Sequence, residues 1–128
     1  MLSKEQERSA FALKQIEKVK VDKDLANFIV GTPTMILQNG LGQTMAFLLS
    51  KADDKKENDK YMFVYKVMRQ WTQKGNPEID TGKAAFLGFI SALDQSRYMA
   101  LQEEILKMLQ WLKRYARAFQ EESKGEPV

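Results

Sequence analysis

The stretch Pro33-Thr-Met-Ile-Leu-Gln-Asn-Gly-Leu-Gly-Gln-Thr-Met-Ala-Phe-Leu-Leu49 lies within a run of 26 residues, between Asp24 and Lys51, that carries no charge. Charged residues make up 29% of the whole chain, so the run is unusual. It cannot cross a bilayer, because a proline, two glycines and three amides interrupt it, and a transmembrane helix needs about 20 predominantly apolar residues. The run therefore indicates a segment that lies inside the protein or against a partner.

The residues before this stretch predict where its helix begins. Asp22 is a suitable N-cap for a short helix to about Val30, and Gly31 is suited to end it. Thr32 and Pro33 then form an N-cap followed by proline at the first helical position. We therefore predict a new helix over residues 33–51. Its apolar residues lie almost all round it, which is typical of a central buried helix.

The remaining segments also have helical periodicity. Ser3 and Gln6 form a capping-box pattern at the first helix, and Asp94 is a suitable N-cap for the last. We predict these further helices over residues 4–20, 61–74, 83–93 and 95–120. Residues 52–60 are expected to be a charged, solvated linker, and residues 121–128 a frayed tail. The sequence thus predicts an all-α fold, a single compact bundle of five to six helices, as one domain over residues 1–128.

Composition removes several classes of chemistry. The chain has no cysteine and no histidine, which excludes disulfides, Cys- or His-based zinc sites and a histidine general base. The acidic pairs Asp53-Asp54 and Glu103-Glu104 are expected to be solvated, since neither has metal-ligand spacing in an apolar pocket. We predict no catalytic residues, no metal and no cofactor. The charged N-terminus lacks an apolar signal core, so a cytoplasmic protein is expected.

The last predicted helix carries a basic face. At about 100° per residue, one arc of roughly 120° holds four cations and an amide. Trp111 and Tyr115 lie on its flank. Such a face suits a phosphate backbone, since cations displace its counterions and rings stack on bases. A plain solvated face, with cations favouring the helix C-terminus, is the other interpretation. The residues of the arc are Lys107, Gln110, Lys113, Arg114 and Arg117.

Two further features have alternative interpretations. On the first helix, Phe11 lies beside cations and is either an exposed contact or covered by a neighbouring helix. On the predicted helix 33–51, Asn39 and Gln43 form an uncharged polar stripe with Ser50. Each of the two glycines there disfavours a helix by about 1 kcal/mol, which indicates the close approach of another backbone. The stripe is therefore either an internal helix crossing or a surface that meets a partner without charge.

Taken together, these segments resemble a known family. Residues 33–43, continuing through Ala46-Phe-Leu-Leu49, are similar to the central motif of the small subunit of the Cmr complex, the type III-B CRISPR RNA-guided effector. Leu109-Gln-Trp-Leu-Lys-Arg-Tyr-Ala-Arg-Ala118 resembles the C-terminal motif of the same family. The first helix also fits, with Glu5-Gln-Glu-Arg8 and Ala10-Phe-Ala12. The resemblance covers essentially the whole chain, and Gln38-Asn-Gly-Leu-Gly-Gln43 is its most specific part.

The resemblance implies a small α-helical protein without catalytic activity. Several copies of such a subunit stack head to tail along a filament of backbone subunits that hold the guide RNA. The implied partners are therefore other Cmr subunits, further copies of this chain, and the backbone of guide and target RNA. No membrane partner is implied.

Carried onto this chain, the resemblance implies two sets of site residues. Lys113, Arg114 and Arg117, with Lys107, are the first candidates for RNA contact, and Arg8, Lys14 and Lys18 are the second. Phe11, Gln38, Asn39 and Gln43 are candidates for subunit contact or packing. A purely structural interaction module without nucleic-acid contact is the main alternative. A helix-turn-helix DNA reader is disfavoured, since residues 75–83 are too long for its tight junction.

Overall fold

Six α-helices make up the secondary structure of the computed structural model, which describes residues 1–80 and 82–121. No strand occurs in those residues, so the predicted all-α fold of five to six helices is confirmed there. The helices are α1 (Lys4–Glu17), α2 (Lys23–Asn39), α3 (Leu41–Lys51), α4 (Lys60–Gly75), α5 (Lys83–Ala92) and α6 (Gln95–Ala118).

Side-chain caps fix the starts of four helices, including α2, where the predicted cap Asp22 accepts a bond from Leu25 N–H at 2.8 Å. At α1, Gln6 N–H donates to Ser3 Oγ at 3.1 Å and Ser3 N–H donates to Gln6 Oε1 at 2.8 Å, which is the predicted capping box. At α6, the predicted cap Asp94 accepts a bond from Arg97 N–H at 2.9 Å. Asp59 does the same at α4 for Met62 N–H, at 2.8 Å. Each cap satisfies an N–H group that has no partner within its helix.

The segment between α3 and α4 matches the prediction only in part. Residues 53–58 are exposed, as expected of a charged linker. Asp59, however, is buried as the cap of α4, and Lys60 is already helical. Of the predicted tail, only Glu121 is described, and its N–H donates to Val21 O at 2.8 Å. Residues 122–128 lie outside the described residues.

The predicted division of residues 22–51 into helices over 22–30 and 33–51 is wrong, although the cap at Asp22 and the end at Lys51 are correct. α2 continues through Gly31 and Pro33, and the chain breaks only at Gly40. Pro33 has no N–H group to donate to Ile29 O, yet the helix continues through it; one residue earlier, the hydroxyl of Thr32 donates to Phe28 O at 2.8 Å. The charge-free run is therefore the greater part of α2 followed by α3, rather than one central helix.

Gly40 forms the break because its backbone conformation suits only glycine. Its φ is 83° and its ψ is 162°, a region that other residues enter at a cost of about 1–3 kcal/mol. Its N–H donates to Ile36 O at 2.7 Å and so makes the last backbone bond of α2. A Cβ atom here would lie 3.3 Å from the hydroxyl oxygen of Tyr98. The glycine thus permits both the turn and a close approach.

Side chains of α6 accept hydrogen bonds from the first N–H groups of α3, because Gly40 has no side chain to act as a cap. Leu41 N–H donates to Gln102 Oε1 at 2.9 Å, and Gly42 N–H donates to the Tyr98 hydroxyl at 2.8 Å. Tyr98 and Gln102 are four residues apart, so they lie on one face of α6. The close approach predicted from the two glycines is real, but a side chain makes it rather than a backbone.

The described chain divides into two compact units. The first contains residues 1–33 and 107–121, and the second contains Thr34–Leu106. In the second unit, α3 packs against α4 and α5. One domain over residues 1–128 remains a prediction. The core of the first unit includes Ala12, Ile16, Leu25, Ile29, Leu109, Leu112 and Ala116; that of the second includes Ile36, Met45, Leu48, Tyr65, Met68, Phe86 and Ile105.

Two glycine substitutions test the account of the helix break. Gly40→Ala is expected to lower the free energy of unfolding by about 1–3 kcal/mol, because alanine is strained in that backbone region. Gly31→Ala is the matched control. It lies inside α2, and a Cβ atom added there would have no other atom within 4 Å, so it should be neutral or raise the stability by up to about 1 kcal/mol. Urea unfolding of both variants measures the difference, and equal stabilities would contradict the account.

Candidate nucleic-acid interface

One face of α6 in the first unit carries a row of cations. Lys107, Arg114 and Arg117 are exposed and Lys113 is half-buried. We refer to these four residues as the basic surface. The guanidinium of Arg117 donates to Gln120 Oε1 at 3.0 Å. The residues of α6 that alternate with this face are buried, and they are Met108, Leu109, Leu112 and Ala116. Helical periodicity thus separates an apolar stripe from the basic surface, as predicted.

Two aromatic side chains beside the basic surface are hydrogen-bonded to α1. Trp111 Nε1–H donates to Glu5 Oε2 at 3.1 Å, and the Tyr115 hydroxyl pairs with Ser9 Oγ at 2.6 Å. Both pairs advance by four residues, one helical turn, along both helices, so α1 and α6 run in the same direction here. The two rings lie 6.0 Å apart with a tilt of 31°. They form a neighbouring pair whose polar atoms are already bonded.

Glu5 uses both carboxylate oxygens within the protein. Oε1 accepts from the guanidinium of Arg8 and Oε2 accepts from Trp111. These bonds lower the pKa of Glu5 from its ordinary value; the bond from Arg8 has the larger effect, and that from Trp111 is second. The carboxylate is therefore ionised at neutral pH. It holds the indole edge while the cation Arg8 offsets its charge.

The residues predicted on α1 divide into two groups. Lys14 and Lys18 are exposed, as an RNA contact requires. Arg8 is only 8% exposed and is bonded to Glu5, so burial and its ion pair disfavour it as a phosphate ligand. Phe11 is 9% exposed, and of its two interpretations the covered one is therefore correct.

The predicted amide residues lie in the second unit around the helix break. Gln38, Asn39 and Gln43 are all exposed, and we call them the amide surface. Asn39 and Gln43 line a cavity of about 340 Å³ together with Phe47, Met35 and Thr44. Leu37 next to them is 69% exposed. The prediction that these amides and Ser50 form one stripe on a single helix is wrong, because Gly40 separates Asn39 from the other two. Asn39 and Gln43 nevertheless lie together at the cavity.

Comparison with known protein families decides the assignment. The model of the family described as CRISPR-associated protein (Cas_Cmr5) matches residues 4–119, nearly the whole chain. The chain belongs to this family. The match confirms the resemblance to the small subunit of the type III-B CRISPR effector.

The two main segments that carry the resemblance have different structural positions. The segment at residues 38–43 contains the break between α2 and α3, and its two glycines permit the close contact with Tyr98. The segment at residues 109–118 lies in α6 and carries the aromatic pair and most of the basic surface. The first segment therefore has a clear role in the fold, whereas the second presents charged and aromatic side chains.

Three observations bear on other roles, in the residues of this Cas_Cmr5 chain that the structure describes. Among residues 1–80 and 82–121, no group of three or more acidic side chains is arranged to hold a metal ion. Burial raises the pKa of Tyr65, which favours the neutral phenol over a catalytic base. None of the helices in the described part of the chain is long and apolar enough to cross a membrane.

Sequence reasoning missed four side chains that organise these features. Glu5 and Ser9 orient the aromatic pair, and Tyr98 and Gln102 satisfy the start of α3. In each case two residues four apart on one helix meet two residues on another element. The sequence does contain one signal, because Glu5 and Ser9 are four residues apart, as are Trp111 and Tyr115. This spacing identifies the partners only once α1 and α6 are known to be neighbours.

Proposed function

We propose that this protein is a non-catalytic small subunit of a type III-B CRISPR effector ribonucleoprotein and that it contacts target RNA through the basic surface of α6. Membership of the Cas_Cmr5 family supports a place in the Cmr complex. The observation that carries the RNA contact is the basic surface itself, with three exposed cations beside two oriented aromatic rings. This role implies that the protein acts in the cytoplasm, as one component of antiviral defence.

The charge pattern favours binding of the RNA backbone without reading of its sequence. Cations that replace the counterions of phosphates give affinity that is independent of sequence and falls with salt. Sequence reading needs side chains placed against base edges, whereas a row of cations along one helix face suits the evenly spaced phosphates of a backbone. Lys14 of α1 and Lys18, at the C-cap of that helix, are proposed as secondary contacts, because both are exposed in the same unit.

The amide surface is proposed to meet neighbouring subunits, including further copies of this chain in the stacked filament. Its three amides are exposed beside Leu37 and Phe47, which are 69% and 38% exposed. An uncharged patch of amide and apolar groups suits a protein interface better than a phosphate backbone, since charged residues are depleted at the centres of interfaces. A purely structural module, using this surface alone, is the alternative function.

A triple charge reversal tests the RNA contact. Lys113→Glu, Arg114→Glu and Arg117→Glu together are expected to weaken target-RNA binding by the assembled complex on the order of tenfold or more. The slope of log K against log salt should also fall by about 2–3, because each phosphate contact contributes about 0.7–0.9 to it. Filter binding over a salt series measures both quantities.

The control carries the same change of charge elsewhere. Lys51→Glu, Lys55→Glu and Lys56→Glu reverse three exposed lysines at and beyond the end of α3, and they should leave the slope nearly unchanged. An unchanged slope in both triple variants, with intact assembly, would refute the RNA contact and favour the structural module.

A single isosteric substitution tests the amide surface. Gln43→Glu is expected to weaken assembly with neighbouring subunits by at least about tenfold, because an unpaired charge desolvated at an interface costs on the order of 2–5 kcal/mol. Gln95→Glu makes the same change at an exposed position at the start of α6 and should assemble normally. Co-purification of the reconstituted complex measures the effect. Normal assembly of Gln43→Glu would contradict a role of this surface in subunit contact.

A further inference from the structure

A cavity beside Trp111 combines an aromatic wall with cations. Its volume is about 490 Å³, and its lining residues are Glu5, Lys107, Gln110, Trp111 and Arg114. Clefts that bind small organic groups have volumes of about 300–1,000 Å³. All five residues belong to the first unit, on α1 and α6. The cavity is therefore of a size to accept part of a ligand that has both a flat ring and a negative charge.

The indole ring that forms the aromatic wall is held by one edge. Its only N–H group donates to Glu5, so the remaining atoms of the ring are carbon. A base that stacks on this ring therefore receives no hydrogen bond from it. Stacking on an aromatic face does not discriminate strongly between bases, because every base has a π-face. Trp111 is half-buried and hence not fully covered by α1.

The charges of the cavity favour a phosphate near the ring. Lys107 and Arg114 lie on α6, one turn before and just under one turn after Trp111. The single carboxylate that lines the cavity is Glu5, and Arg8 and Trp111 already bond its two oxygens. Its charge is thus largely offset from within the protein. Cations on either side of a half-buried ring match the alternation of phosphate and base along a single strand.

We propose that Trp111 is a stacking platform for one unpaired base of RNA, and that Glu5 is the positioning residue that holds the indole in place. The adjacent phosphates lie at Lys107 and Arg114. This inference rests on the proposed function, because it assigns a base-binding element to the same RNA-contacting face. It adds that affinity depends on the bases as well as on the backbone.

Two ligands separate base stacking from charge. One is a single-stranded oligoadenylate and the other is an abasic ribose-phosphate chain of the same length. The full-length protein is expected to bind the oligoadenylate about 5- to 150-fold more tightly, the range that stacking of a base on an aromatic ring provides. Trp111→Leu should lower this ratio at least fivefold, and Trp111→Phe should have an intermediate effect. Arg114→Gln should weaken both ligands alike and leave the ratio unchanged.

Glutamate variants on α1 test the positioning role. Glu5→Ala should lower the ratio, because it removes the acceptor that orients the indole. Glu5→Gln should keep the ratio, since its amide oxygen still accepts the indole N–H. Glu17→Ala removes the same charge from an exposed position at the end of α1 and should keep the ratio too. Loss of negative charge alone would tighten both ligands and leave the ratio unchanged in all three variants.

The outcomes distinguish this inference from the proposed function. A ratio near one in the wild-type protein, or an unchanged ratio in folded Trp111→Leu, would overturn the stacking platform while the backbone contact stands. An unchanged ratio in Glu5→Ala would overturn the positioning role. If the wild-type protein and the assembled complex both fail to bind either ligand, the proposed RNA contact fails and the stacking platform fails with it. Thermal unfolding of each variant verifies that it is folded.

Discussion

The contact between the start of α3 and two side chains of α6 is the constraint on which the second unit depends. A helix start leaves N–H groups without partners, and Gly40 has no side chain to satisfy them. Tyr98 and Gln102 accept two of these N–H groups instead. The chain can therefore end α2 and begin α3 within a single residue. That sharp break also leaves Asn39 and Gln43 exposed and lining one cavity.

A second pair of side-chain contacts organises the aromatic and basic face of the first unit. Glu5 and Ser9 of α1 bond the polar atoms of Trp111 and Tyr115, so the aromatic pair is oriented rather than free to rotate. The same contacts engage the one carboxylate that lines the cavity. As a result, the rings and the cations of this helix face occupy defined positions relative to one another. The contacts between α1 and α6 thus serve both the fold and the proposed function.

Local signals made most of the fold predictable. The capping box at Ser3, the cap at Asp94 and the periodicity of α4 to α6 involve residues a few positions apart, and the helix starts match closely. The break at Gly40 was not predictable, because its partners Tyr98 and Gln102 lie 56 or more residues away. Nearer the site, periodicity correctly separated the basic surface from the apolar stripe. It could not show that Arg8 is buried against Glu5, since that depends on the neighbours of α1.

Photo-cross-linking of target RNA in the assembled effector complex, followed by mapping of the adducts, tests the central claim most directly. The claim is that this subunit meets RNA through the aromatic and basic face of α6. The account predicts adducts within residues 107–117, with Trp111 or Tyr115 among them, and loss of those adducts at high salt. A fully assembled complex in which this subunit carries no adduct, or carries adducts only around residues 38–43, would contradict it.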